Sequence, residues 1–110
     1  MKNQPIYDAM HKDVTEVQFR RFGSGEIIGV FPYEIYNNDG NVMSYMHVGQ
    51  HGECEWDINQ FTEPANEAEY HDLYKELCGL GYNLKVIKRR SQAKYLKAYH
   101  SYVNELQAIL

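Results

Sequence analysis

The chain has 110 residues, 44% of them hydrophobic and 24% charged, with a net charge of −4. That is room for one ordinary globular domain and no second core. Two cysteines are too few for a disulfide framework, no run approaches the roughly 20 apolar residues of a membrane span, and the acidic balance speaks against non-specific nucleic-acid binding.

The first residues, MKNQPIYDAMHKD, show no clear period and lack the apolar core of a signal peptide. A flexible arm is expected over 1–13, on a protein of the host-cell cytoplasm. VTEVQFRRF (14–22) alternates Val17, Phe19 and Arg21 against Gln18, Arg20 and Phe22, which predicts a strand. GSGE (23–26) is a turn, and IIGVFPY (27–33) is an apolar run that pairs back as a hairpin. Pro32 lacks an N–H and marks the end or an edge of that strand. YNNDGN (36–41) is the strongest turn signal, because Asn, Asp and Gly tolerate positive φ. VMSYMHVGQ (42–50) completes a three-stranded meander, with His47 on the side of Met43 and Tyr45.

HGECEWDINQF (51–61) reads as a loop. A helix is expected from about Pro64 or Ala65 to Cys78, with Tyr70, Leu73, Tyr74 and Leu77 forming one apolar stripe. Cys78 falls beside those residues, so a reduced, buried thiol is expected. Gly79 and Gly81 stop the helix. YNLKVIKRR (82–90) is a fourth strand with Tyr82, Leu84 and Val86 on one face. Ser91 is placed to cap a final helix over about 92–109. There Leu96, Tyr99, Val103, Leu106 and Leu110 are spaced 3, 4, 3 and 4, a heptad-like seam that covers the sheet or meets its own copy in a homodimer. The order is βββαβα, and a two-layer α+β sandwich follows, with the helices as lids on one meander.

Charge is segregated along the chain. Residues 53–84 hold Glu53, Glu55, Asp57, Glu63, Glu67, Glu69, Asp72 and Glu76 against Lys75 alone. Residues 85–110 hold Lys85, Lys88, Arg89, Arg90, Lys94 and Lys97 against Glu105 alone. Such a distribution steers partners, or simply gives two solvated faces. Ten tyrosines supply apolar area with a polar tip, suited to half-buried and interface positions.

Two groups of residues are candidates for binding. The first is the segment Tyr45, His47, Gln50, His51 and Glu53. Its H-x3-H spacing would align both rings on a helix but fixes nothing on a strand that runs into glycines. Zinc would need further ligands, for which Cys54 and Asp57 lie nearby. Cys54 with a histidine, or Ser44 with His47, are conceivable nucleophile pairs, although Ser44 and His47 point to opposite faces of a strand. The second group is the basic stretch 85–97, with Lys85, Lys88, Arg89, Arg90 and Lys94 around a helix start, a place for an anion. No nucleophile elbow, phosphate loop or dinucleotide fingerprint is present. No catalytic residue, metal or cofactor is assigned.

Phe19, Arg20, Phe22, Gly25, Glu26, Ile28, Phe31 and Pro32, then Ser44 to Gly52, then Gly81, Tyr82, Leu84 and Val86 form the pattern FRxF…GExIxxFP…SYMHVGQHG…GYxLxV. In this pattern, across roughly residues 17–90, the chain resembles small proteins encoded by bacteriophages and other mobile elements. The resemblance implies an accessory gene of a phage or prophage, and it carries over no catalytic residues.

These observations lead to the expectation of a non-enzymatic accessory protein that binds a host or phage macromolecule, with inhibition of a host defence system as its role and the acidic stretch 53–76 as the surface to test. A nucleotide, small-ligand or nucleic-acid binder using residues 85–97 is the alternative, and a metal-dependent enzyme comes third.

Overall fold

The computed structural model describes residues 14–47 and 50–109. The arm expected at 1–13 lies outside the described residues. In chain order the elements are β1 (Val14–Arg21), β2 (Ile27–Ile35), β3 (Val42–Tyr45), β4 (His51–Cys54), a 3-10 turn (Trp56–Gln60), β5 (Glu63–Pro64), α1 (Glu67–Gly79), β6 (Asn83–Val86) and α2 (Gln92–Ile109). The class is α+β, and the expected order of strands and helices is the observed one, with two short strands added.

The sheet runs β4-β3-β2-β1-β5, and β6 also pairs with β1. All of these pairings are antiparallel except β1 with β6, which is parallel. The far edge of β1 is thus divided, Val14 to Val17 pairing with β6 and Arg20 and Arg21 with β5.

Pro32 has a visible effect on β2. The β1 ladder reaches Gln18↔Val30, and the β3 ladder skips from Phe31↔Met43 to Ile35↔Val42. Without an N–H, Pro32 sits where both ladders lapse, yet the strand resumes to Ile35 instead of ending there.

Alternation sends two sets of side chains to two faces. On one, Val17, Phe19, Phe31 and Tyr45 pack with Leu73 and Leu77 of α1. Tyr70, Tyr74, Tyr82, Leu84 and Val86 complete that cluster, so the expected α1 stripe and the apolar face of β6 are both used. On the other, Ile28, Val30, Val42 and Cys54 pack with Trp56, Ile58 and Tyr95. The helices therefore lie on opposite faces of the sheet, α1 on the first and the start of α2 beside the 3-10 turn on the second.

Several boundaries differ from expectation. The third strand stops at Tyr45, because the chain turns at once, the Met46 and Gln50 amides donating to the Gln50 and His47 carbonyls. His47 is consequently off the strand. Residues 51–54, expected in a loop, form β4, with Tyr45↔His51 and Ser44↔Gly52 opposed. α1 begins at Glu67 because Asn66 and Glu69 form a capping box, which leaves Glu63 and Pro64 to pair with β1. Cys78 is exposed and Cys54 is the buried thiol. One position past Leu77, Cys78 is turned about 100° off the apolar stripe. β6 ends at Val86, so Lys88 to Arg90 are off the strand.

The α2 cap is as expected, the Lys94 amide donating to Ser91 Oγ at 3.1 Å. Its inward side keeps Tyr99, Val103 and Leu106 of the expected seam, all half-buried, but Tyr95 faces the protein in place of Leu96, which is 41% exposed. Tyr95 prevails because its hydroxyl, like that of Tyr99, finds a carbonyl in the 36–41 turn: Tyr95 donates to Gly40 at 2.6 Å and Tyr99 to Asn38 at 2.7 Å.

Candidate functional site

The two histidines of HVGQHGE go to different partners. His47 is exposed and lines a small groove with Glu69, Asp72 and Glu76 of α1. His51 turns its ring onto Tyr45, 4.7 Å between centroids, and its Nε2 lies 2.7 Å from the Tyr82 hydroxyl. Burial pushes the Tyr82 phenol up, so it stays protonated and keeps that bond. Tyr45 is fully buried, and its hydroxyl donates to Glu76. Glu53 accepts from the side-chain amides of Asn37 and Asn41 and thereby clamps the 36–41 turn.

The conceivable catalytic pairs are not brought together. The Ser44 hydroxyl donates to the Gly52 carbonyl at 3.2 Å, on the face away from α1. Cys54 also points to that face, whereas His51 packs on the other. Burial pushes the Cys54 thiol up to about 11, the reverse of what a nucleophile needs. Among the described residues, no three His, Cys, Asp or Glu side chains group closely enough to hold a metal ion.

A cleft of about 600 Å³ opens on the face away from α1, beside β4. Its floor is made by Ser44 and Gly52, opposed across β3 and β4 and too small to fill it. Phe22, Ile28, Met46 and Ile58 form apolar walls, and Phe61 stands at its mouth, 68% exposed. Gln50, Glu53, Glu55 and Asp57 also line it, an acidic rim around an apolar interior. The size is that of ordinary ligand sites, roughly 300–1,000 Å³. Among the described residues, β4 pairs with β3 alone, so its other edge presents unpaired backbone groups next to the cleft. This feature was not read from the sequence, since its floor consists of the two residues that contribute least side chain.

The basic stretch is divided by the fold. Lys85 is exposed on β6. Lys94 pairs with Glu16 and lies 4.7 Å from the centre of the Tyr33 ring. Its hydrogen bond to Glu16 is the main cause that raises its ammonium above the ordinary lysine value. Lys88, Arg89 and Arg90 instead converge with Arg20, Trp56 and Asn59 around a second cleft of about 360 Å³. Arg20 is 7% exposed, an unusual place for a guanidinium. It is held by Thr62 Oγ1 at 3.0 Å, the Thr62 carbonyl at 2.7 Å and the Asn59 carbonyl at 3.2 Å. Arg90 donates to the Trp56 carbonyl and lies 3.8 Å from the centre of that indole. The Tyr95 ring stacks on the same indole at 4.0 Å, and two groups this close must occupy opposite sides of it.

No helix among the described residues is long and apolar enough to cross a membrane. Comparison of the chain with protein-family models, with curated proteins and with solved structures finds no match.

Proposed function

We propose that this chain is a non-enzymatic binding protein that holds an extended segment of a partner protein along β4, with apolar side chains of that segment in the adjoining cleft. The observation that carries the proposal is the coincidence of an edge strand with an open apolar cleft whose floor is Ser44 and Gly52. Backbone pairing at such an edge supplies affinity, and alternate side chains entering a cleft supply specificity. The acids Glu55 and Asp57 at the rim select a segment that carries Lys or Arg next to its apolar residues.

A four-residue edge with a central acid also guards a sheet against aggregation. A guarded edge alone has no need of an apolar cleft beside it or of Phe61 exposed at the mouth. In the phage or prophage context implied by the sequence resemblance, the partner is a host or phage protein, and the role is inhibition of a host defence system.

The test is to pan a random peptide library on the immobilised chain. The expected result is an enriched motif of alternating apolar residues flanked by Lys or Arg, bound at least ~10-fold more weakly by a Glu55→Lys, Asp57→Lys variant. No enrichment, or binding indifferent to those charges, overturns the proposal.

A homodimer through α2 is a separate proposal, supported by the exposure of Leu96.

A further inference from the structure

Arg20 and Arg90 both brace the stretch around the 3-10 turn. Arg20 reaches the Asn59 and Thr62 carbonyls, and Arg90 reaches the Trp56 carbonyl. A 3-10 turn leaves its last carbonyls without internal partners, so the bond from Arg20 to Asn59 is in part structural, and Arg90 ties the first residue of the turn, Trp56, to the segment after β6. A neutral donor would do that work without bringing two positive charges into one half-buried cleft.

The donors left over point further. Arg20 spends Nε and Nη2 on Thr62 and Asn59, and Arg90 spends Nη1 on Trp56. Nη1 of Arg20 and Nε and Nη2 of Arg90 have no protein partner among the described residues, and neither guanidinium forms an ion pair there. Both arginines line the 360 Å³ cleft, with exposed Lys88 and Arg89 at its mouth and Gln18 and Gln92 as polar lining. Burial lowers the Arg20 guanidinium, and burial followed by the nearness of Arg20 lowers that of Arg90. Arg20 thus disfavours the charge on Arg90, while Glu63 favours that on Arg20 and Asp57 that on Arg90. Trp56 cannot stack on a ligand, since both sides of its ring are taken.

We propose that this cleft is a binding site for the phosphate monoester group of a small molecule, held between the free edges of Arg20 and Arg90 with Lys88 and Arg89 at the mouth. The forked guanidinium suits a tetrahedral oxyanion. A monoester is dianionic at neutral pH and matches two guanidinium charges, where a phosphodiester carries one. The site lies at the divided edge of β1 and the turn after β6, apart from the cleft beside β4.

The probe is inorganic phosphate, titrated calorimetrically at pH 7.5 and low ionic strength against sodium chloride of matched ionic strength. Saturable binding near one equivalent per chain is expected, weakening at least ~10-fold below pH 6 as the phosphate takes up its second proton. Arg90→Gln weakens it at least ~10-fold. Because that change also unbraces the turn, the Lys88→Gln, Arg89→Gln double variant is the second arm. Both side chains are exposed, and their loss leaves the brace intact while weakening binding at least ~3-fold and flattening its salt dependence. A response no different from chloride, or affinity unchanged in the double variant, overturns the site.

Discussion

Tyr95 is closed over Gly40. Its hydroxyl donates to the Gly40 carbonyl at 2.6 Å and lies 2.5 Å from where a Cβ on Gly40 would stand. Gly40 also has φ +88, a conformation that costs an L side chain about 1–2 kcal/mol. The turn and the last helix are therefore fitted to each other through one glycine. Gly40→Ala is expected to destabilise the fold by about 2–3 kcal/mol, from the left-handed backbone together with displacement of Tyr95. Tyr95→Phe, which keeps the ring stacked on Trp56, is expected to cost about 1 kcal/mol. Urea midpoints of the two variants check the order; a larger loss for Tyr95→Phe would show that the contact with Gly40 is not what limits the turn.

The inward side of each helix makes a second prediction. Leu77 is fully buried among Val17, Phe31 and Tyr45, so Leu77→Ala should cost about 2–5 kcal/mol. Leu96 is 41% exposed, and Leu96→Ala should stay within about 0.5 kcal/mol for the monomer. Chemical denaturation separates the two.

The same residue decides the oligomer. If α2 meets a second copy, light scattering will give twice the chain mass of 12.9 kDa, and Leu96→Glu will return it to one. A wild-type mass already at one chain removes the dimer.

The two cysteines should react at different rates. Cys78 is exposed, while Cys54 is buried with its thiol pushed up to about 11. Iodoacetamide at pH 8, followed by mass spectrometry, is expected to label Cys78 at least ~10-fold faster. The sign of the pH dependence follows. The folded chain keeps the Cys54 proton to about pH 11, whereas the unfolded chain releases it near the ordinary cysteine value. Between those values the unfolded chain binds fewer protons, so this group lowers stability as pH rises. Equal labelling of both thiols would contradict the placement of Cys54.

What could be read along the chain was what side chains encode locally. Leu73 and Leu77 mark the stripe of α1, Ser91 the start of α2, and Gly40 the tightest turn. β4 was hidden because an edge strand is made by backbone pairing, and of HGEC only Cys54 is buried. The basic cleft was half legible: Lys88 to Arg90 stand out as a run, but Arg20, 70 residues away from Arg90, looked like the polar side of an ordinary strand. Its burial follows from the 3-10 turn that covers that face, a contact between distant segments. The paired histidines could not be placed from their spacing, which carries meaning on a helix and none across a turn, and the fold sends them to different partners.

The central claim, a partner segment held along β4, is tested most directly at Gly52. A Cβ there meets only Ser44 Oγ, at 4.0 Å, so Gly52→Val is compatible with the strand and fills the cleft floor. A peptide enriched by panning is titrated calorimetrically against the wild-type chain and this variant. The account predicts binding at least ~10-fold weaker to Gly52→Val at an unchanged thermal midpoint; equal affinity for both would contradict it.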